Sequence, residues 1–540
     1  MVLSRAVIGL VFLFVSSSSW AAVNRYVVFF KDKAGTVYSI SNPLAFLSQR
    51  AIDRRTNQSI AITESDFPIN QNYIDGVKGT GAETYFKSRW MNALLIQCDA
   101  SLLTTIEALP YVDHVEFVAP NAKLLINGRE KNNNQSKGSE AGEATDTQLQ
   151  MIGIDAMHQD GFKGEGMVIA ILDDGFPGVD NASPFQSIFS ENRIDLATSK
   201  DFVRNTNNVF QYDSHGTETF SVIAAYQAGT FTGGAYKANY QLYVTEDVST
   251  EYRIEEYNWL FAAERADSAG VDIISSSLGY YDFDDASMNY SKSDMDGVTT
   301  VVSQAAQHAA DRGILIVCSA GNEGGIAWQV ITTPADAKDV LAVANVNSMG
   351  LRSNSSSIGP SADGRIKPDV AALGSGTSVI TPSGALGSAS GTSLSAPLIA
   401  SLAAGIWQRY PSLTNKEIMD AIKKSASLAS NPNIYLGYGI PNYQAAVNYI
   451  EQQSQENVFD VYPNPILSDS LFIKPFDPNQ VSTCRMQLLS TQGQIVYDGD
   501  MSFSWLNLVT SVNVSPLSSG VYFLRIFWNN KRFTYKLVKI

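Results

Sequence analysis

The chain has four histidines, so the search for a general base is short. His114 falls in the strand-like run Val112-Asp-His-Val-Glu-Phe-Val, and His308 sits inside a helical pattern over Thr300 to Arg312. His158 lies near a helix end ahead of Gly161. Structural or capping roles account for these three. His215 is different: it stands in Tyr212-Asp-Ser-His-Gly-Thr-Glu-Thr-Phe-Ser-Val-Ile-Ala-Ala225, polar first and apolar-periodic after, which predicts a helix N-terminus. Upstream, Val168-Ile-Ala-Ile-Leu172 runs into Asp173-Asp174-Gly175. A carboxylate at the end of a buried strand can accept the Nδ1–H of a histidine, fixing its tautomer and stabilising the imidazolium. Downstream, Gly391-Thr392-Ser393-Leu394-Ser395-Ala396-Pro397 opens an apolar helix ending near Arg409. A serine there has a backbone N–H that the helix leaves unpaired, so it can serve as nucleophile and oxyanion donor at once. Finally, Ile314-Leu-Ile-Val-Cys-Ser-Ala-Gly321-Asn322 is a strand followed by an asparagine whose amide can bind a developing oxyanion.

Each segment alone has a plainer reading, as a helix cap, a turn or a left-handed pair. Four of them in the order Asp, His, Asn, Ser call for one scaffold that brings them together. The β-branched runs Met167 to Leu172, Val271 to Ser275, Ile314 to Cys318 and Val340 to Ala344 alternate with helical stretches at Glu255 to Ala269, Thr300 to Arg312, Ser395 to Arg409 and Asn415 to Ala426. That alternation predicts an α/β unit with a parallel sheet and helices on both faces. Its chemistry belongs at the carboxyl ends of the strands.

The rest of the chain divides by texture. Residues 1–21 carry Arg5, an apolar run from Ala6 to Val15, and small residues at Ser19 and Ala21, the pattern of a secretory signal peptide. Residues 22–127 form a first globular block that opens with Tyr26-Val-Val-Phe-Phe-Lys and closes on the His114 strand. Residues 128–148 are almost devoid of apolar side chains and read as an exposed linker. Residues 149–455 hold the α/β unit. Residues 456–540 show period-2 strands such as Gly520-Val-Tyr-Phe-Leu-Arg-Ile and turn pairs at Gln492-Gly493 and Asp498-Gly499, the signature of a small antiparallel sandwich. Cys98, Cys318 and Cys484 fall in three different units and make no disulfide framework.

Composition agrees with this plan. The chain has 540 residues, 44% hydrophobic and 17% charged, which is globular rather than disordered. A net charge of −15 argues against nucleic-acid binding, which needs a cationic face. After the first 22 residues no stretch is long and apolar enough to span a bilayer.

The order Asp, His, Asn, Ser is that of the subtilisin arrangement, and residues 151 to 455 resemble a subtilase domain. The family's Asp-Ser/Thr-Gly is matched by Asp173-Asp174-Gly175, its His-Gly-Thr-His by His215-Gly216-Thr217-Glu218, and its Gly-Thr-Ser-Met-Ser-Ala-Pro by Gly391 to Pro397. Ala320-Gly321-Asn322 and Ser277-Leu278-Gly279 match two further motifs. The resemblance implies a three-layer parallel-sheet catalytic domain and a serine endopeptidase working through an acyl-enzyme. Asp173, His215 and Ser393 would be catalytic, Asn322 the oxyanion donor, and Ser277, Leu278 and Gly279 the strand that pairs with substrate. No metal or organic cofactor is required by that chemistry. Asp174 and Glu218 depart from the family pattern; Asp174 is expected to face outward beside Asp173. Family calcium ligands cannot be placed here, although Asp282, Asp284, Asp285, Asp294 and Asp296 form an acidic stretch of suitable chemistry. By the same resemblance, residues 22–127 look like an α+β prodomain that inhibits and assists folding, with the processing site in 128–148. The tail resembles a type IX secretion sorting domain, on Val461-Tyr-Pro-Asn-Pro465, Leu517-Ser-Ser-Gly-Val-Tyr522 and Lys536-Leu-Val-Lys-Ile540. The partners implied are protein or peptide substrates, the prodomain itself and a secretion machinery, at a location outside the cell or on its surface. An esterase is disfavoured because no Gly-x-Ser-x-Gly surrounds Ser393, and a nucleotide-binding protein because no P-loop occurs.

Overall fold

The computed structural model describes residues 23–120, 144–456, 458–477, 483–504, 508–529 and 531–540. The expected signal peptide and residues 128–143 of the expected linker lie outside the described residues.

The central unit is built on a seven-stranded parallel sheet. Its spatial order is Val370–Leu373, Val340–Val346, Leu315–Ser319, Ile273–Ser276, Val168–Asp173, Asn239–Val244 and Lys200–Asp201. Side chains alternate across a strand, so the runs read as continuously apolar only because both faces are covered. Ile169, Ile171, Ile273, Leu315, Val317 and Leu341 enter one core with the helices His215–Ala224 and Thr392–Arg409. Ala170, Leu172, Ile274, Ile316 and Cys318 enter a second core with the helices Ile254–Ala269 and Val301–Asp311. The chain leaves Val168–Asp173 for Asn239–Val244 on one side and later Ile273–Ser276 on the other. That reversal opens a crevice at the carboxyl ends of the central strands.

The N-terminal unit is a four-stranded antiparallel sheet in the order Glu83–Ser88, Ala93–Asp99, Val23–Phe30, Val112–Ala119. Leu94, Ile96 and Cys98 face its own core, with Ile74 and Val77 of the helix Gln71–Gly79. Ala93 and Leu95 face the other way and join the second core of the central unit. The same period-2 strand thus builds one hydrophobic layer inside the unit and one between units.

The C-terminal unit is an antiparallel sandwich. One sheet has Phe459–Tyr462, Ser470–Pro475 and Thr510–Asn513; the other has Ile495–Ser502, Thr483–Ser490, Gly520–Trp528 and Lys531–Lys539. Leu471, Ile473, Met486, Leu488, Leu524 and Ile526 alternate inward between them. All three cysteines are buried and free. Among the described residues no helix is long and apolar enough to cross a membrane.

One boundary differs from the sequence expectation. Residues 144–148 are not exposed linker: the Ala144 N–H donates to the Thr230 carbonyl (3.0 Å) and the helix Asp146–Met151 docks on the central unit. Thr145 and Gln148 are buried, and Gln148 exchanges hydrogen bonds with the backbone of Ser378 at 2.9 and 3.3 Å. The polar groups of this segment find partners inside the fold instead of in solvent.

Candidate active site

Asp173 is the last residue of its strand and is fully buried. Its Oδ1 lies 2.6 Å from Nδ1 of His215, the first residue of the helix His215–Ala224. Oδ1 also accepts the Asp174 N–H (2.9 Å), and Oδ2 accepts the Thr219 hydroxyl (2.9 Å). Burial pushes the Asp173 carboxyl up, but the His215 charge and these hydrogen bonds outweigh it and hold it below the usual carboxylate range. An anion is thereby fixed against one ring nitrogen of His215.

The close approach of helix to strand depends on Gly216. A Cβ there would overlap the Gly175 carbonyl oxygen and stand 3.0 Å from the Asp173 Cβ, so any larger residue would push His215 away from its acid.

Asp174 does not face outward as expected. It is 1% exposed, and its Oδ1 accepts the Gly216 N–H at 3.1 Å. Ser214, at the N-cap of the helix, makes no side-chain cap. Asp174 therefore serves the helix N-terminus from the neighbouring strand end, where a negative charge is favourable. Glu218 is buried, and burial raises its carboxyl above the ordinary value.

Ser393 is the second residue of the helix Thr392–Arg409. The helix begins three residues before the start read from the sequence, which places Ser393 in the first turn among N–H groups without intrahelical partners. Its hydroxyl donates to the Ser277 carbonyl at 3.2 Å, and the Ser277 hydroxyl donates to the Ser393 carbonyl at 2.8 Å. Ser277 and Leu278 are buried beyond the end of the strand Ile273–Ser276, whereas Gly279 is exposed. The Leu278 carbonyl accepts the Ser319 hydroxyl at 3.2 Å.

Asn322 follows the strand Leu315–Ser319 through Gly321, whose φ of +103° suits glycine alone. Asn322 is exposed, and its Oδ1 accepts both the N–H (2.9 Å) and the hydroxyl (3.0 Å) of Thr392. A backbone N–H can only donate, so the amide orientation is set: its oxygen is held by the residue next to Ser393 and its NH₂ is the end that remains.

Sequence reasoning missed Thr219 and Thr392. Thr219 was findable, because it sits four residues after His215 on the same helical face. The other histidines are placed elsewhere: His158 bonds the Gly234 carbonyl (2.8 Å), His114 stacks on Phe29 (4.3 Å), and His308 lies near Trp90 (6.0 Å). In the acidic stretch, Asp285, Asp294 and Asp296 accept local backbone N–H groups of turns, and Asp284 accepts the N–H of Glu251, 33 residues away in sequence. Among the described residues, two groups of acidic residues and histidine bring ligand atoms within 4.8 Å of one another: Asp173, Asp174 and His215, and also Glu246, Glu251 and Glu255. In the second, Glu246 accepts from the Tyr280 and Thr245 hydroxyls at 2.7 Å and Glu255 from the Asp247 N–H at 2.8 Å.

Comparison with known proteins matches residues 164–446 to the subtilase family, peptidase S8. That span is more than half of the chain. The chain belongs to the subtilase family. It is a serine-type endopeptidase. Residues 25–138 match the peptidase S8 propeptide domain of Bacteroidota, and residues 460–540 a secretion system C-terminal sorting domain. Subtilisin NAT of Bacillus subtilis subsp. natto is 28% identical over 54% of this chain and 68% of its own length. Subtilisin of Bacillus pumilus is 28% identical over 54% of this chain and 94% of its own length. Among solved structures, the epidermin leader peptide processing serine protease of Staphylococcus aureus superposes with a TM-score of 0.54 at 15% identity, over 78% of this chain and 99% of its own. This last likeness concerns the fold.

Proposed function

We propose that this subtilase hydrolyses peptide bonds with Asp173, His215 and Ser393 as its triad and Asn322 as its oxyanion donor. Ser393 Oγ attacks the scissile carbonyl while His215 takes its proton, then returns it to the leaving amine. Asp173 holds the ring and stabilises the imidazolium; water then cleaves the acyl-enzyme by the same groups. The Asn322 NH₂ and the Ser393 N–H receive the charge that develops on the carbonyl oxygen, where fixed donors are most effective. The backbone at Ser277–Gly279 receives the substrate as an added strand. The scheme needs no metal or organic cofactor. The observation that supports this reading is the 2.6 Å contact between the buried Asp173 carboxylate and His215, with Asn322 held separately on Thr392, the neighbour of Ser393.

In the same reading, residues 1–21 direct export, the segment 22–127 covers and inhibits the peptidase until the chain is cut after it, and the sorting domain passes the protein to a secretion machinery. The mature enzyme then acts outside the cell or on its surface. The test is labelling by an active-serine phosphonate probe, read beside the processing of residues 121–143. The wild-type chain should be labelled and cut, and Ser393→Ala neither, with kcat lowered on the order of 10⁶. Labelling that persists in Ser393→Ala would overturn the assignment.

A further inference from the structure

The propeptide covers the face of the peptidase formed by the helices Ile254–Ala269 and Val301–Asp311. Much of the contact is apolar: Val27, Trp90 and Leu95 share one buried cluster with Phe261, Ala305 and Ala309. Many amphipathic sheets could satisfy such a surface. Asp267 makes it selective.

Asp267 lies on the peptidase helix and is completely buried in the full chain. Its carboxylate accepts from three guanidinium groups, and all three belong to the propeptide. Arg54 bonds Oδ1, while Arg55 (2.9 Å) and Arg89 bond Oδ2. Arg54 and Arg55 lie on the helix Gln49–Asn57, whereas Arg89 follows the strand Glu83–Ser88. Two distant pieces of the propeptide must therefore be folded together to close over one oxygen pair. The charges also cross in the other direction. Arg312 of the peptidase bonds Asp66 of the propeptide at 2.8 Å, and Arg55 reaches the same carboxylate at 3.3 Å. Burial pushes the Asp267 carboxyl up, yet Arg89, Arg55 and Arg54 together hold it at about 2.

We propose that Asp267 is a recognition gate that matches this peptidase to its own propeptide: only a partner bringing guanidinium groups to these three places can cover the face. A partner with an apolar surface there would strip the carboxylate of water and return nothing, which is the strongly destabilising way to bury a charge. Once the propeptide leaves, Asp267 regains water, so the free peptidase bears no comparable penalty. The inference rests on residues 23–120 being the propeptide and not on the roles assigned to the triad.

The test uses the full chain carrying Ser393→Ala and a recognition sequence for a site-specific protease inserted within residues 121–143, so that cutting does not depend on the peptidase's own chemistry. After cutting, retention of the propeptide is followed by size-exclusion chromatography on dilution. Asp267→Leu, and separately the triple change Arg54→Met, Arg55→Met and Arg89→Met, should each weaken retention by about 10²–10³-fold, as expected when one side of a buried ion pair is removed. The combination of all four should regain most of the loss, because no charge is then left buried alone. Retention equal to wild type in the one-sided variants, or a combined loss equal to the sum of the two, would overturn the proposal. If a one-sided variant does not fold while the combined one does, the gate is supported. If none folds, the milder Asp267→Asn and Arg89→Lys decide by the same reading, and unchanged retention in both overturns it.

Discussion

Ser277 and Ser393 hold each other by reciprocal bonds, the Ser277 hydroxyl on the Ser393 carbonyl at 2.8 Å and the Ser393 hydroxyl on the Ser277 carbonyl at 3.2 Å. The first of these has a cause written further along the helix. The Ser393 carbonyl would ordinarily receive the N–H of residue 397, but that residue is Pro397, which has none. Ser277 fills the vacancy and so joins the end of the strand Ile273–Ser276 to the first turn that carries Ser393.

Ser277→Ala should therefore leave a buried carbonyl unserved, which costs about 1–3 kcal/mol, and should loosen Ser393. The expected result is a lower midpoint of denaturation together with a kcat reduced by up to about 10-fold, and Ser277→Thr should restore both because it keeps the hydroxyl. Equal kcat in Ser277→Ala and wild type, measured on one peptide substrate, would refute the coupling.

Asn322 is oriented by Thr392, through one bond from the backbone and one from the hydroxyl. Asn322→Ala should lower kcat by about 10²–10³-fold with little change in KM, because the lost donor acts on charge present only in the transition state. Thr392→Val removes one of two bonds holding the amide and should lower kcat by only about 3–10-fold, the scale of one net hydrogen bond. A Thr392→Val effect confined to KM would show that Thr392 shapes the cleft instead of aiming Asn322.

Asp174 substitutes for a side-chain cap on the helix that starts at His215. Asp174→Ala should destabilise the chain by about 0.5–2 kcal/mol. Asp174→Asn retains an acceptor oxygen and should lose less. Urea unfolding of both in the Ser393→Ala background measures the difference, and indistinguishable midpoints for all three chains would remove the capping role.

The four site residues were legible because each sits at the end of an element whose periodicity is strong. Strands buried on both faces announce themselves as runs such as Val168 to Leu172, and the residue that ends them falls at the crevice. The strand Asn239–Val244 is not legible in the sequence because Tyr240, Gln241 and Tyr243 break the apolar run. Their buried polar atoms are nonetheless satisfied, the Tyr240 hydroxyl by the Ala235 carbonyl and the Tyr243 hydroxyl by Gln241. The direction of Asp174 depends on strand pleat and helix placement together, which local pattern does not encode. Nothing near Arg54 and Arg55 in sequence reveals Asp267, which meets them only in the assembled fold.

Glu256 offers a pH test of how the peptidase meets its own second core. It is fully buried on the helix Ile254–Ala269, where it accepts the Tyr290 hydroxyl (2.7 Å) and the Val302 N–H (3.2 Å) at the start of the next helix. Burial pushes its carboxyl up from 4.5 to about 7, against the pull of those two bonds and of Arg253. A carboxyl raised in the folded state contributes its full stability below the unfolded value of 4.5 and loses it as the pH rises through 7. By pH 8 the loss amounts to about 3 kcal/mol. Glu256→Gln cannot ionise, so in the Ser393→Ala background it should match the parent near pH 4 and exceed it in urea midpoint at pH 8. Parallel stability curves for the two chains across that range would mean that Glu256 is ionised at no cost, and that its burial is relieved by a partner stronger than Tyr290 and the helix N-terminus.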